Sequence, residues 1–155
     1  MHNKWARAID LDTDAILFQV EIDTLAHGHA FHHDSQTLFL ATLSGFEVLD
    51  VADETLGTFI PYPSAGRVNF LYHAGDVPVA FGPHKTEGST DKIILLNMEE
   101  RTAEALTVSG ASLAWNISGG NFALAESGKM VVAADLVNPR AYLICIDADN
   151  GSCYR

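Results

Sequence analysis

His27-Gly28-His29, with His32 and His33 close behind, are the residues of this chain whose types and spacing best suit chemistry. In an extended strand, side chains at i and i+2 share a face. That puts His27, His29, Phe31 and His33 on one side and His32 on the other. Two imidazoles separated by one residue can reach one Zn or Cu ion, and such a site needs a third or fourth ligand at about 2.0–2.1 Å from zinc. His73 and Glu126 are the candidates for those places. The same histidines would serve equally at strand ends, hydrogen-bonded to the backbone of a neighbouring sheet.

A second candidate is the polar excursion Gly82 to Asp91, read as a long loop in which His84, Lys85 and Glu87 offer charge and hydrogen bonds to a protein or small-molecule ligand. Two acidic stretches, Asp10-Leu11-Asp12-Thr13-Asp14 and Asp147-Ala148-Asp149-Asn150-Gly151, have the look of calcium loops. The first lacks the glycine and the terminal glutamate that an EF-hand needs, and both read as hairpin turns in which Asp and Asn bond their own backbone. Nucleophile elbow, phosphate-binding loop and dinucleotide fingerprint are all missing, and Ser118-Gly119-Gly120-Asn121 reads as a turn. Trp5 and Trp115 suit burial between sheets, or stacking on a ligand if exposed. Cys145 and Cys153 become a cross-strand pair only if the intervening turn centres on Asp149; a turn at Asn150-Gly151 sets Cys153 opposite Ala148 instead.

Nine Lys and Arg against twenty Asp and Glu give a net charge of −11, with no basic cluster, which argues against nucleic acid and anionic membranes as partners. No apolar run approaches the length of a membrane span, and the first residues lack an apolar signal core. As written, the chain is expected to be cytoplasmic; a piece of an exported parent would be periplasmic or secreted. A length of 155 residues suits one domain with a sizeable core.

The elements that must position these residues repeat. A short apolar run closed by an acid or amide recurs as Ala8 to Asp12, Val48 to Ala52, Leu95 to Glu99 and Cys145 to Asp149, marked by Asp10, Asp50, Asn97 and Asp147 at spacings of 40, 47 and 50. After each comes a turn and a further strand: Ile16 to Ile22, Leu56 to Ile60, Ala103 to Val108, and a short Cys153 to Arg155. Between the copies stands a strand, tight turn and strand, at 27–41, 69–80 and 122–133; aligned on their turns, these make His33, His73 and Glu126 equivalent. The unit is a meander of four short strands, all β, of the kind that forms a propeller blade. Glu99 to Leu106, which has some helical character, falls in the repeat as a turn and an outer strand.

In its inner strand and turn, Phe31-His32-His33-Asp34-Ser35-Gln36-Thr37-Leu38-Phe39, and its third strand, Glu47-Val48-Leu49-Asp50-Val51-Ala52, the chain resembles the YVTN or WD-like propeller repeats, including those of quinoprotein dehydrogenase-like domains. The resemblance spans nearly the whole chain. No Trp-Asp dipeptide is present, so the Trp-Asp and Gly-His pair of strict WD repeats is absent and no WD signalling role follows. The resemblance implies a single domain, 1–155, with blade parts at about 5–23, 24–64, 65–110 and 111–155, or some three to three and a half blades. Such a number cannot close on itself. The chain is therefore expected either to assemble as a homo-oligomer, a twofold ring being closed by the N-terminal hairpin of one copy on the next, or to be part of a longer propeller; a sandwich is the alternative if the repeat is coincidental. The function expected is that of a non-enzymatic binding or assembly module. Its competitor is a Zn- or Cu-binding protein, a carrier or metal-dependent hydrolase, built on His27, His29, His33, His73 and Glu126.

Overall fold

Three of the four repeated acid or amide residues close their strands by the same local device. Asp10 Oδ1 accepts from the backbone N–H of Asp12 and Thr13, both at 2.9 Å. Asp50 Oδ1 accepts from Ala52 and Asp53 at 3.1 Å each, and Asn97 Oδ1 from Glu100 at 3.0 Å. Four residues after each of them the backbone turns left-handed, at Asp14 (φ 57°), Glu54 (57°) and Arg101 (55°). This is the local chemistry for which Asp and Asn are favoured in turns, and it accounts for the acidic stretch at Asp10 as a hairpin turn.

The computed structural model describes residues 4–22, 26, 28–32, 34, 36–64, 67–68, 71–73, 79–85, 92–107, 122–124, 130–134, 141–147 and 152–154, with side chains at 4–22, 26, 28–32, 34, 36–64, 68, 71, 73 and 92–107. Every regular element among them is a strand, and each pairing is antiparallel. A two-stranded sheet pairs β1 (Lys4–Ile9) with β2 (Ile16–Ile22). The first full sheet runs β3 (Gly28–Phe31), β4 (Thr37–Ala41), β5 (Gly45–Asp50) and β6 (Thr55–Leu56), with β7 (Ile60–Pro61) also on β5. The second places β8 (Arg67–Val68) and β9 (Tyr72–His73) on β10 (Val79–Lys85), followed by β11 (Lys92–Asn97) and β12 (Thr102–Thr107). The third runs β13 (Phe122–Leu124), β14 (Met130–Ala134), β15 (Ala141–Asp147) and β16 (Ser152–Tyr154). Inner strand β9 lies against both β3 and β13, so the inner strands of successive sheets are neighbours. No helix among the described residues is long and apolar enough to cross a membrane.

The meander expected from sequence is present, with three differences in detail. The stretch Leu56 to Ile60 is not one strand: Gly57 N–H turns inward to Val48 O at 2.7 Å, and pairing resumes on β5 at Ile60. A side chain at Gly45 would meet the Ile60 carbonyl and the Phe59 ring, so glycine is what lets β7 approach. The second difference corrects the loop read at 82–91. Gly82 to Lys85 continue β10, pairing Gly82 with Ile94, Pro83 with Ile93, His84 with Val68 and Lys85 with Arg67, because strands on both sides extend the ladder past the polar composition. The third concerns the cysteines. Cys145 pairs with Tyr154 and Cys153 with Ile146, a register that makes them partners of neither kind considered from sequence.

Among the described residues a buried apolar cluster lies between the first and second full sheets. Ala30, Phe39, Ala41, Phe46, Val48, Ile60 and Tyr62 from one meet Val68, Ile94, Leu96 and Met98 from the other. Cross-strand partners Phe39 and Val48, and Ala41 and Phe46, share the face that packs, as the period-2 pattern requires. Phe46 meets Tyr62 edge to face with ring centroids 5.0 Å apart, and the buried Tyr62 hydroxyl donates to Thr42 O at 2.9 Å.

Candidate functional site

Strand β3 presents two faces. Ala30 is buried in the core, while His29 and Phe31 point the other way and are exposed. They look onto a cleft of about 350 Å3 whose lining includes Ala6 and Arg7 from β1 and Leu38 and Leu40 from β4. Arg7 is oriented by its own sheet, Nε donating to Gln19 Oε1 at 3.1 Å. An apolar floor, one guanidinium and one imidazole make this a place for a largely apolar occupant with a few polar groups.

His32 follows the strand on the opposite side, as the alternation predicts, and is buried. Its Nδ1 lies 3.0 Å from Asp34 Oδ2, an ion-pair contact, and its Nε2 is hydrogen-bonded to Glu99 Oε2 at 3.1 Å. Both ring nitrogens thus face carboxylates, one on the same turn and one on the turn after β11 of the next sheet. Asp34 is held below the usual carboxylate range, chiefly because Oδ1 accepts from Gln36 N–H at 2.8 Å; the contact with His32 and a longer bond from Thr37 N–H assist against a smaller opposing effect of burial.

Of the five residues read as metal ligands, His29 is exposed on β3 and His73 half-buried on β9; His27, His33 and Glu126 lie outside the described residues. Among the described residues no three His, Cys, Asp or Glu side chains are placed to hold a metal ion. The register corrects the turn-based alignment. Phe31 pairs with Leu38, and Leu38 with Leu49, the residue before Asp50; His73 pairs with Ala80, and Ala80 with Leu96, the residue before Asn97. Phe31, not His33, is therefore the counterpart of His73. The reason is local: the ladder ends where His32 N–H donates to Thr37 O, and Asp34 caps the turn beyond it. Of the residues read as a ligand-binding loop, His84 and Lys85 are on β10 and Glu87 lies outside the described residues. The His32 bridge was not legible as such: its partner Glu99 is 67 residues away, and only sheet packing brings them together.

No family model and no curated protein matches the chain. Solved structures do. Hydrazine synthase of Kuenenia stuttgartiensis superposes with a TM-score of 0.68 at 14% identity, covering 95% of this chain and 41% of that one. Dihydro-heme d1 dehydrogenase NirN in complex with DHE gives 0.66 at 17% identity, over 95% and 32% of the two chains. The β-propeller domain of Myceliophteria thermophila Cps50 (Swd1) gives 0.63 at 9%, over 93% and 46%. The chain spans less than half the length of each of these structures. At such identities the likeness establishes architecture, and that architecture agrees with the strand order: this is an all-β, propeller-like fold of antiparallel meander sheets, with three sheets of four or five strands and one of two among the described residues.

Proposed function

We propose that the chain is a non-enzymatic binding and assembly module of the YVTN or WD-like class of repeats, contributing three blades and a half-blade to a larger ring. One observation carries this reading. β1 and β2 form the outer half of a blade, and among the described residues no strand pairs with the far edge of β1. An open edge of backbone N–H and C=O groups is a template for a further strand. Apolar side chains on the same hairpin support it: Trp5, Ile9, Ile16 and Leu17 are all exposed. Its partner on this reading is propeller polypeptide, while a net charge of −11 disfavours nucleic acid and anionic lipid.

The test is a native mass spectrum of protein purified without added metal or chelator, recorded over a range of concentrations. The module reading expects no stoichiometric Zn or Cu at any concentration, on the 16.7 kDa chain or on any assembly of it. Replacing His27 and His29 by Ala leaves that pattern unchanged. One Zn or Cu ion per chain, lost on that double substitution, contradicts it.

A further inference from the structure

We infer that the cleft between β1 and the outward face of β3 and β4 is the empty seat of an inner strand pair, and that its occupant is a two-stranded β-hairpin from propeller polypeptide outside these 155 residues. This rests on the assembly reading above and names the surface and the partner.

The capped turns fix the equivalence. Asp10, Asp50 and Asn97, each followed four residues later by a left-handed residue, make β1 the counterpart of β5 and β11. β5 is paired on its far side with β4, and β11 with β10. Only β1, of these three, lacks that neighbour among the described residues.

Packing gives the same answer from the other side. In the second full sheet the inner row holds Leu71, two residues before His73, and Leu71 packs against the core that Ala30, Phe39 and Ala41 of β3 and β4 supply. The matching row of the first full sheet holds His29, two residues before Phe31. Here His29 and Phe31 are exposed over the cleft, Phe31 to 47%, with half-buried Leu38 and buried Leu40 in its lining. The inner half of one sheet is thus covered and the inner half of the other is not.

The occupant's chemistry follows from the ladder. On β1, half-buried Ala6 and Ala8 stand where Phe46 and Val48 stand on β5, whose cross-strand partners are Ala41 and Phe39. The missing strand runs antiparallel to β1, with apolar residues opposite Ala6 and Ala8, and its own partner strand covers Phe31. A second copy is a poor donor, because the inner strands β3 and β4, β9 and β10, and β13 and β14 are already joined to outer strands of their own sheets.

The probe is a synthetic peptide of residues 28–41, the hairpin that fills the equivalent seat on the second full sheet. It is added to the full chain and, because a free hairpin is marginally ordered, also fused ahead of residue 1 through a Gly/Ser linker to raise its effective concentration. Hydrogen exchange across Lys4–Ile9 is expected to slow about tenfold on occupancy, with Lys92–Asn97 unaffected, and Phe31→Glu is expected to weaken peptide binding about tenfold. Unchanged exchange across Lys4–Ile9 with both the free and the fused hairpin overturns the inference, as does undiminished binding to a folded Phe31→Glu chain. Protection of Lys4–Ile9 in a homodimer that the peptide does not displace identifies a second copy as occupant and overturns it too. A chain that takes the hairpin yet retains one metal ion overturns the non-enzymatic reading and leaves the seat standing, so the two failures are separable.

Discussion

At the residue scale the bridge at His32 and the buried phenol of Tyr62 join parts of the chain distant in sequence. Glu99 is largely exposed, and solvent screens its pair with His32, so a double-mutant cycle of His32→Ala and Glu99→Ala is expected to show coupling of about 0.5 kcal/mol. His32→Ala alone costs more, about 1–3 kcal/mol by urea unfolding, because a buried, bonded group is lost. Equal effects of the two single substitutions would contradict this. Burial pushes the Tyr62 phenol well above its ordinary value, offset in part by bonds to the backbone at Val68 and Thr42. The folded state therefore holds a proton that the unfolded chain releases near about pH 10, and the corresponding stability is full below that pH and falls as pH rises above it. Tyr62→Phe is expected to cost about 1 kcal/mol at neutral pH yet to decline less steeply above about pH 10, measured by urea unfolding at both. Parallel declines in the two proteins would exclude the assignment. What sequence made legible at this scale is the alternation of His29 and Phe31 against His32, since a strand imposes it. The partners Glu99 and Thr42 were not legible, because a carboxylate 67 residues away and a backbone carbonyl 20 residues away are selected by packing.

At the scale of elements, turns were legible and strand limits less so. Asp10, Asp50 and Asn97 act on backbone groups within three residues, so their spacing carried the meander directly. The break between β6 and β7 and the extension of β10 to Lys85 depend on partner strands, which composition does not encode. The left-handed position after each cap is occupied by Asp14, Glu54 and Arg101, whereas the fourth copy of the sequence has Gly151 there. A β-carbon in that conformation is strained, so Glu54→Gly is expected to stabilise the chain by up to about 1 kcal/mol in urea unfolding, the loss of chain entropy taking back part of the gain. A loss of stability would mean that the Glu54 side chain contributes more than its backbone costs.

For the whole molecule, the count of strands matters more than any one site. Among the described residues a two-stranded sheet stands beside two five-stranded sheets and one four-stranded sheet, and the solved structures that superpose on nearly all of the chain are each more than twice its length. Sequence made the repeat visible through the periodicity of its marked residues. The short last strand, read from sequence at Cys153 to Arg155, is β16 at Ser152–Tyr154, which leaves β1 and β2 as the one two-stranded sheet among the described residues. The most direct test is amide hydrogen exchange on the chain alone, comparing Lys4–Ile9 with its counterparts Gly45–Asp50 and Lys92–Asn97. A half-blade with one open edge predicts exchange roughly tenfold or more faster in β1 than in β5 and β11, which are paired on both sides. Equal protection of the three strands in the lone chain would contradict the account.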